Sequence, residues 1–97
     1  MYASIRRYTI NPGTEAEITK LVNEEFVPII SKGPGFVAFY VVVAKSDVLV
    51  SISIFQDKAG AVESNALALD FVMRRIGSLL PNSPEIIAGE VMVHKIL

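Results

Sequence analysis

The side chains best suited to chemistry sit in patterns that otherwise read as apolar. Asn65 falls at the edge of a stripe formed by Val62, Ala66, Leu69, Val72, Met73, Ile76 and Leu80 at helical spacing. A buried amide must be hydrogen-bonded, so Asn65 needs a partner on the sheet, a water or a ligand. Glu25 stands in the same relation to Ile18, Leu21, Val22 and Ile29. Burial would raise its pKa and suit it to general acid or base work, whereas an arginine partner would make it structural. Ser4, Arg6 and Tyr8 share one face of an extended segment, and Glu90, Met92 and His94 share one face of another. If those segments are neighbours, Arg6 or Tyr8 could meet Glu90 or His94, and an imidazole there is a candidate base. Ser51 and Ser53 interrupt an apolar run and would line the same cavity. Tyr40 could present its hydroxyl to a pocket or pack as an amphipathic side chain. Leu67 and Phe71, four residues apart on the more polar side of their helix, suggest a partner contact or a pocket lid.

The elements that would position these residues follow in order. Residues 2–10 read as a strand ending at Asn11-Pro12-Gly13. Thr14-Glu15-Ala16-Glu17 reads as a capping box opening a helix, tightened or kinked by Pro28 and stopped at Gly33-Pro34-Gly35. Residues 36–44 and 48–56 form a hairpin around Lys45-Ser46-Asp47. Asp57 caps a second helix to about Leu80, and Pro81-Asn82-Ser83-Pro84 stops it. Residues 85–96 make the last strand, with Gly89 as a bulge. The order βαββαβ predicts one α+β domain over residues 1–97, a ferredoxin-like antiparallel sheet with both helices on one face. In the hairpin, Phe36, Ala38, Tyr40 and Val42 alternate with Val37, Phe39, Val41 and Val43, and both sets are apolar. An antiparallel sheet with one wet face would alternate with polar residues. Both faces therefore need cover, and a second copy of the sheet supplies it: a homodimer closed into an α/β barrel.

Pro34-Gly35-Phe36, Ser53-Ile54-Phe55-Gln56-Asp57, Ser64-Asn65 and Gly89-Glu90-Val91 with His94 resemble, in order and spacing, the antibiotic biosynthesis monooxygenase family of dimeric α/β-barrel proteins. The resemblance implies a homodimer with a pocket between sheet and helices in each subunit. Some members of that family oxidise aromatic polyketide-type substrates with O₂ and neither metal nor flavin. On that basis Asn65, His94 and Arg6 are the expected catalytic residues, with Asn65 holding a substrate carbonyl or an oxygenated intermediate. Tyr40, Ser53, Glu25 and Phe71 are the expected substrate contacts, and no cofactor is expected. The haem-degrading branch uses a histidine of the second helix, where this chain has none. The tryptophan that many members carry in that helix is also missing, Phe71 being the nearest aromatic.

Composition narrows the alternatives. The chain is 52% hydrophobic and 20% charged with net charge −1, which argues against nucleic-acid binding. It has no cysteine, hence no disulfide and no thiolate metal site, and no metal-ligand cluster, phosphate loop or Ser-His-Asp order. The longest apolar run, Phe36 to Ala44, is far short of the ~20 residues that span a bilayer. With no signal-peptide pattern at its start, a soluble cytoplasmic protein is expected. Two functions fit: a cofactor-independent monooxygenase of a small aromatic or quinone-like molecule, and a non-catalytic small-molecule-binding homodimer. A cavity touching Asn65 would favour the enzyme, whereas a site filled by Leu and Phe would favour packing alone.

Overall fold

The computed structural model describes residues 1–97. Strand β1 (Tyr2–Thr9) is followed by α1 (Glu15–Leu21), which runs through one wide turn, Val22–Phe26, into the short α2 (Val27–Ile30). The hairpin is β2 (Phe36–Lys45) and β3 (Val48–Phe55); then come α3 (Lys58–Phe71), a second wide turn (Val72–Ile76), a tight turn (Gly77–Leu79) and β4 (Glu85–Glu90). The sheet runs β2-β3-β1-β4 and is antiparallel throughout, the ferredoxin-like arrangement. No helix is long and apolar enough to cross a membrane.

The first helix starts at Thr14 as expected but departs in its capping and phase. Thr14 makes no side-chain cap; its hydroxyl donates instead to the Asn11 carbonyl at 2.6 Å, so the capping box is not formed. The buried residues are Ile18, Val22, Phe26 and Ile30, while Ile29 is exposed. The wide turn explains the shift. Val27 N–H donates to the Val22 carbonyl five residues back, adding one residue to the turn and bringing Ile30 to the position Ile29 would otherwise hold. Pro28 follows at once; lacking an N–H, it cannot restore the ordinary bond to residue 24.

In α3 the stripe read from the sequence faces outward. Ala61, Ser64, Ala68 and Phe71 are buried, whereas Val62, Leu69 and Met73 are exposed. Small residues let the helix lie close on the sheet, and their low hydropathy hides the contact face in the sequence. Asp57 does cap this helix, accepting from Gly60 N–H at 2.9 Å. Phe71 is a core residue and not a lid: its ring lies 5.2 Å from Phe26, which meets Phe39 edge-on at 5.5 Å. Burying a phenylalanine such as Phe26 contributes about 1.5–3 kcal/mol.

Two bulges fall in β2, not at Gly89. The register passes from Phe36↔Phe55 to Ala38↔Ile54 and from Val43↔Leu49 to Lys45↔Val48, leaving Val37 and Ala44 as extra residues, whereas Gly89 pairs regularly with Ala3. The first bulge turns Phe36 onto the helix side, where it meets Phe55 at 5.7 Å. Strand β4 ends at Glu90, short of residue 96. Val91 N–H makes the last bond, to the Met1 carbonyl at 2.9 Å.

The helix-covered face of the sheet combines apolar core residues such as Tyr8, Leu49 and Phe55 with a polar centre. Under the helices lie the buried Ser4, Arg6, Ser51 and Ser53. The opposite face carries Ile5 on β1, Val50, Ile52 and Ile54 on β3, Tyr40 and Val42 on β2 and Ile87 on β4. No element of the chain covers it, and Tyr40 (55%), Val42 (47%) and Ile87 (59%) are conspicuously exposed.

Candidate functional site

The polar side chains of β1 converge on α3. Arg6 is 1% exposed and spends its donors on neutral acceptors from two elements. Its Nε donates to Ser51 Oγ at 2.9 Å, and Nη2 donates to Ser53 Oγ. Its Nη1 donates to Asn65 Oδ1 at 2.8 Å and more weakly to Ser64 Oγ at 3.4 Å. Ser4 Oγ donates to the same Asn65 oxygen at 2.6 Å. Ser64 is held in turn by the Ala61 carbonyl, at 2.6 Å. Strand alternation puts Ser4, Arg6 and Tyr8 on one face, and the β1–β3 register sets Ser53 beside Ser4 and Ser51 beside Arg6. Small residues on α3 let its backbone come near enough for Asn65 to reach them.

Beside this cluster is a cleft of about 220 Å³, lined by Arg6, Tyr8, Asn65, Ala66, Leu69, Val72, Pro84 and Ile86. Tyr8 and Val72 also border a small apolar cavity of about 30 Å³ in the core, walled by Phe26, Phe39 and Phe71 among others. Burial lowers the Arg6 pKa, and the neighbouring Tyr8 opposes that shift. Burial pushes the Tyr8 phenol up, against the opposing effects of Arg6 and Ser51. Tyr8 is therefore neutral at physiological pH and serves as a hydroxyl, not as a base.

Of the residues singled out in the sequence, Ser4, Arg6, Tyr8, Ser51, Ser53 and Asn65 come together; Arg6, Tyr8 and Asn65 line the cleft, and Ser53 lies beneath the guanidinium. His94, Glu90, Glu25, Tyr40 and Phe71 lie elsewhere. His94 is exposed beyond the end of β4, eight residues past Ile86, the register partner of Arg6. Glu90 pairs with Tyr2 and also misses Arg6, whose register partner is Ile86. Glu25 is bound by Arg75, Nε to Oε1 at 2.7 Å and Nη2 to Oε2 at 2.9 Å. That hydrogen bonding lowers the Glu25 pKa, the reverse of what an acid–base role would need. Tyr40 lies on the uncovered face of the sheet, opposite the cleft, and Phe71 belongs to the core.

No family model matches the chain, and neither does any curated protein. Solved structures do. A protein of unknown function from Nitrosomonas europaea is similar at TM-score 0.80 and 21% identity, covering 99% of this chain and 93% of that one. A monooxygenase from the gene ActVA-Orf6 of Streptomyces coelicolor, in complex with the ligand nanaomycin D, is similar at TM-score 0.75 and 12% identity, covering 99% and 91%. SnoaB, a cofactor-independent oxygenase from Streptomyces nogalater, is similar at TM-score 0.73 and 17% identity, covering 96% and 94%. The chain has the antibiotic biosynthesis monooxygenase fold.

Within that fold, sequence reasoning passed over two members of the site. Tyr8 was grouped with Arg6 but given no place at a pocket, although its position two residues along the strand puts both on one face. Ser64 was noted only beside Asn65; its signal is a small polar residue in line with Ala61 and Ala68, the spacing of a close helix–sheet contact. No group of three or more His, Cys, Asp or Glu side chains is placed to hold a metal.

Proposed function

We propose that this chain is a cofactor-independent monooxygenase of a small aromatic or quinone-like molecule, acting as a homodimer. The observation that carries the reading is the cleft: apolar walls from Ala66, Leu69, Val72 and Ile86 around the polar pair Arg6 and Asn65. Sharing a fold with two oxygenases supports it. A phenol oxidised by O₂ at a ring carbon gives a quinone and water. One oxygen atom enters the ring, the other leaves as water, and the phenol supplies all four electrons, so no reductant is required. The protein's task is then to hold an ionised, electron-rich ring out of water and to stabilise negative charge on its oxygen. The second copy would cover the apolar face of the sheet.

A specific observation favours the alternative, a binding homodimer without chemistry: the cleft lining contains no carboxylate and no imidazole. Oxygen uptake separates the two. Aromatic polyketide phenols and quinols, added to the protein without metal or flavin, should give one O₂ consumed per quinone formed. Binding of such compounds with no uptake above the buffer rate would leave the binding dimer.

A further inference from the structure

The aromatic end of the core encloses a space that its own packing leaves unfilled. Protein interiors are close-packed, and voids larger than a water molecule are few. This one, of about 30 Å³, lies between the sheet and both helical segments. Its wall includes the two irregular stretches of the chain: Val22 and Phe26 open and close the first wide turn, and Val72 and Ile76 open and close the second. Wide turns of this kind recur at functional sites. On the outside the same two turns are tied together by Arg75 and Glu25, at 2.7 and 2.9 Å. On the inside Phe26 rests against both Phe39 and Phe71. Rings held on two sides do not swing in to close the gap, so the space persists.

Size and polarity restrict what the space can hold. An engineered cavity that takes benzene measures about 150 Å³, so this one is several-fold too small for a ring. Water fits by volume but needs two or more polar partners. The only lining side chains with a polar atom are Tyr8 and Ser51. Ser51 Oγ already accepts from Arg6 at 2.9 Å, and the Tyr8 hydroxyl lies within hydrogen-bonding reach of Ser51 and Arg6. An apolar diatomic molecule gives up no hydrogen bond on entering, and it gains apolar surroundings. The space is also one side chain away from the cleft, since Tyr8 and Val72 border both. We infer that this cavity is a dioxygen-binding pocket that supplies the cleft past Tyr8 and Val72. The inference rests on the cleft being an oxygenase site, and it adds where the second substrate is held: the ring in the cleft, O₂ in the core behind Val72.

Dioxygen is paramagnetic, so it reports its own position. In methyl NMR spectra of the wild-type chain under oxygen, with nitrogen as the blank and no substrate, proton relaxation should be enhanced at Ile18, Val22 and Leu49 well beyond that at Ile30. Ile30 is equally buried, at 0% exposure, but does not line the cavity. Ala68→Val fills the space from the α3 side and should abolish the excess. With the phenol that supports the fastest uptake, it should also lower kcat/KM for O₂ by about threefold or more and leave the affinity for that phenol unchanged. If Ala68→Val does not fold, Val22→Ile, one methylene larger from the first wide turn, takes its place. Relaxation at Ile18, Val22 and Leu49 no greater than at Ile30 would overturn the pocket, as would a filled variant with unchanged kcat/KM for O₂. So would shift changes at Val22 and Leu49 on adding 1-naphthol as large as those at Leu69 and Ile86, because the ring would then occupy the core itself. The relaxation readout needs no turnover, so an enhanced pocket without oxygen uptake removes the oxygenase and leaves the gas site. Uptake without enhancement removes the pocket and leaves the oxygenase.

Discussion

Asn65 does two jobs through the two ends of one amide. Its oxygen closes the hydrogen bonding of Arg6 and Ser4, while its nitrogen is left to the cleft. From the sequence alone, Asn65→Leu keeps or raises stability if the amide only lines a pocket, and costs stability if the amide is a structural hydrogen-bonding partner. The contacts to Arg6 and Ser4 give the second sign. Leucine would leave a buried guanidinium proton and the Ser4 hydroxyl without their acceptor, so the melt of Asn65→Leu should show a loss of roughly 1–3 kcal/mol. A melt at or above wild type would mean that Arg6 finds another partner. Asn65 was legible because an amide on the edge of an apolar stripe needs a partner, and Arg6 because strand alternation grouped it with Ser4. His94 was not, because pairing depends on where the neighbouring strand begins. Glu25 was misplaced because its partner, Arg75, lies fifty residues away in sequence and follows a turn of irregular phase.

Helix phase is where the sequence misled most. A wheel assumes a constant angle per residue, and each wide turn breaks it, at Val22–Phe26 and at Val72–Ile76. Strand order, hairpin and topology were legible because they depend on punctuation and alternation, which the wide turns leave intact. The closeness of α3 to the sheet was legible only in its small residues. Gly60 is the sharpest of these: a Cβ there would lie 2.6 Å from Phe55 Cδ2 and 3.1 Å from Phe55 Cβ. Phe55 is buried at the core and cannot swing away. Alanine is the better helix former by up to about 1 kcal/mol, but overpacking of this kind costs about 1–3 kcal/mol. Gly60→Ala should therefore lower the denaturation midpoint, and a midpoint above wild type would show that helix and sheet can part at no cost.

For the whole molecule, the decisive feature is an apolar sheet face that the chain itself leaves bare. A homodimer burying on the order of 2,000 Å² in total would cover it. The chain should sediment at about twice its 10.6 kDa mass at micromolar concentration. Ile87 is already 59% exposed in the single chain, so Ile87→Lys should be tolerated by the fold and shift the population to monomer. Wild type sedimenting as a folded monomer would remove the dimer. The sequence announced this face through a hairpin apolar on both sides. It did not reveal that the helix-covered side would be the more polar at its centre, since that requires knowing which residues the register sets side by side.

The place of β1 in the sheet has a consequence for synthesis. It precedes both of its neighbours in the sequence and lies inside the finished sheet, pairing with β3 on one side and β4 on the other. Neither neighbour exists when it emerges, and the last of them ends at Glu90. A nascent chain halted before residue 85 carries β1 with one edge open, in a state prone to pair with another chain. Closure of β1 on its second edge thus waits for β4, and residues 85–90 decide whether a strand made long before them is sheltered.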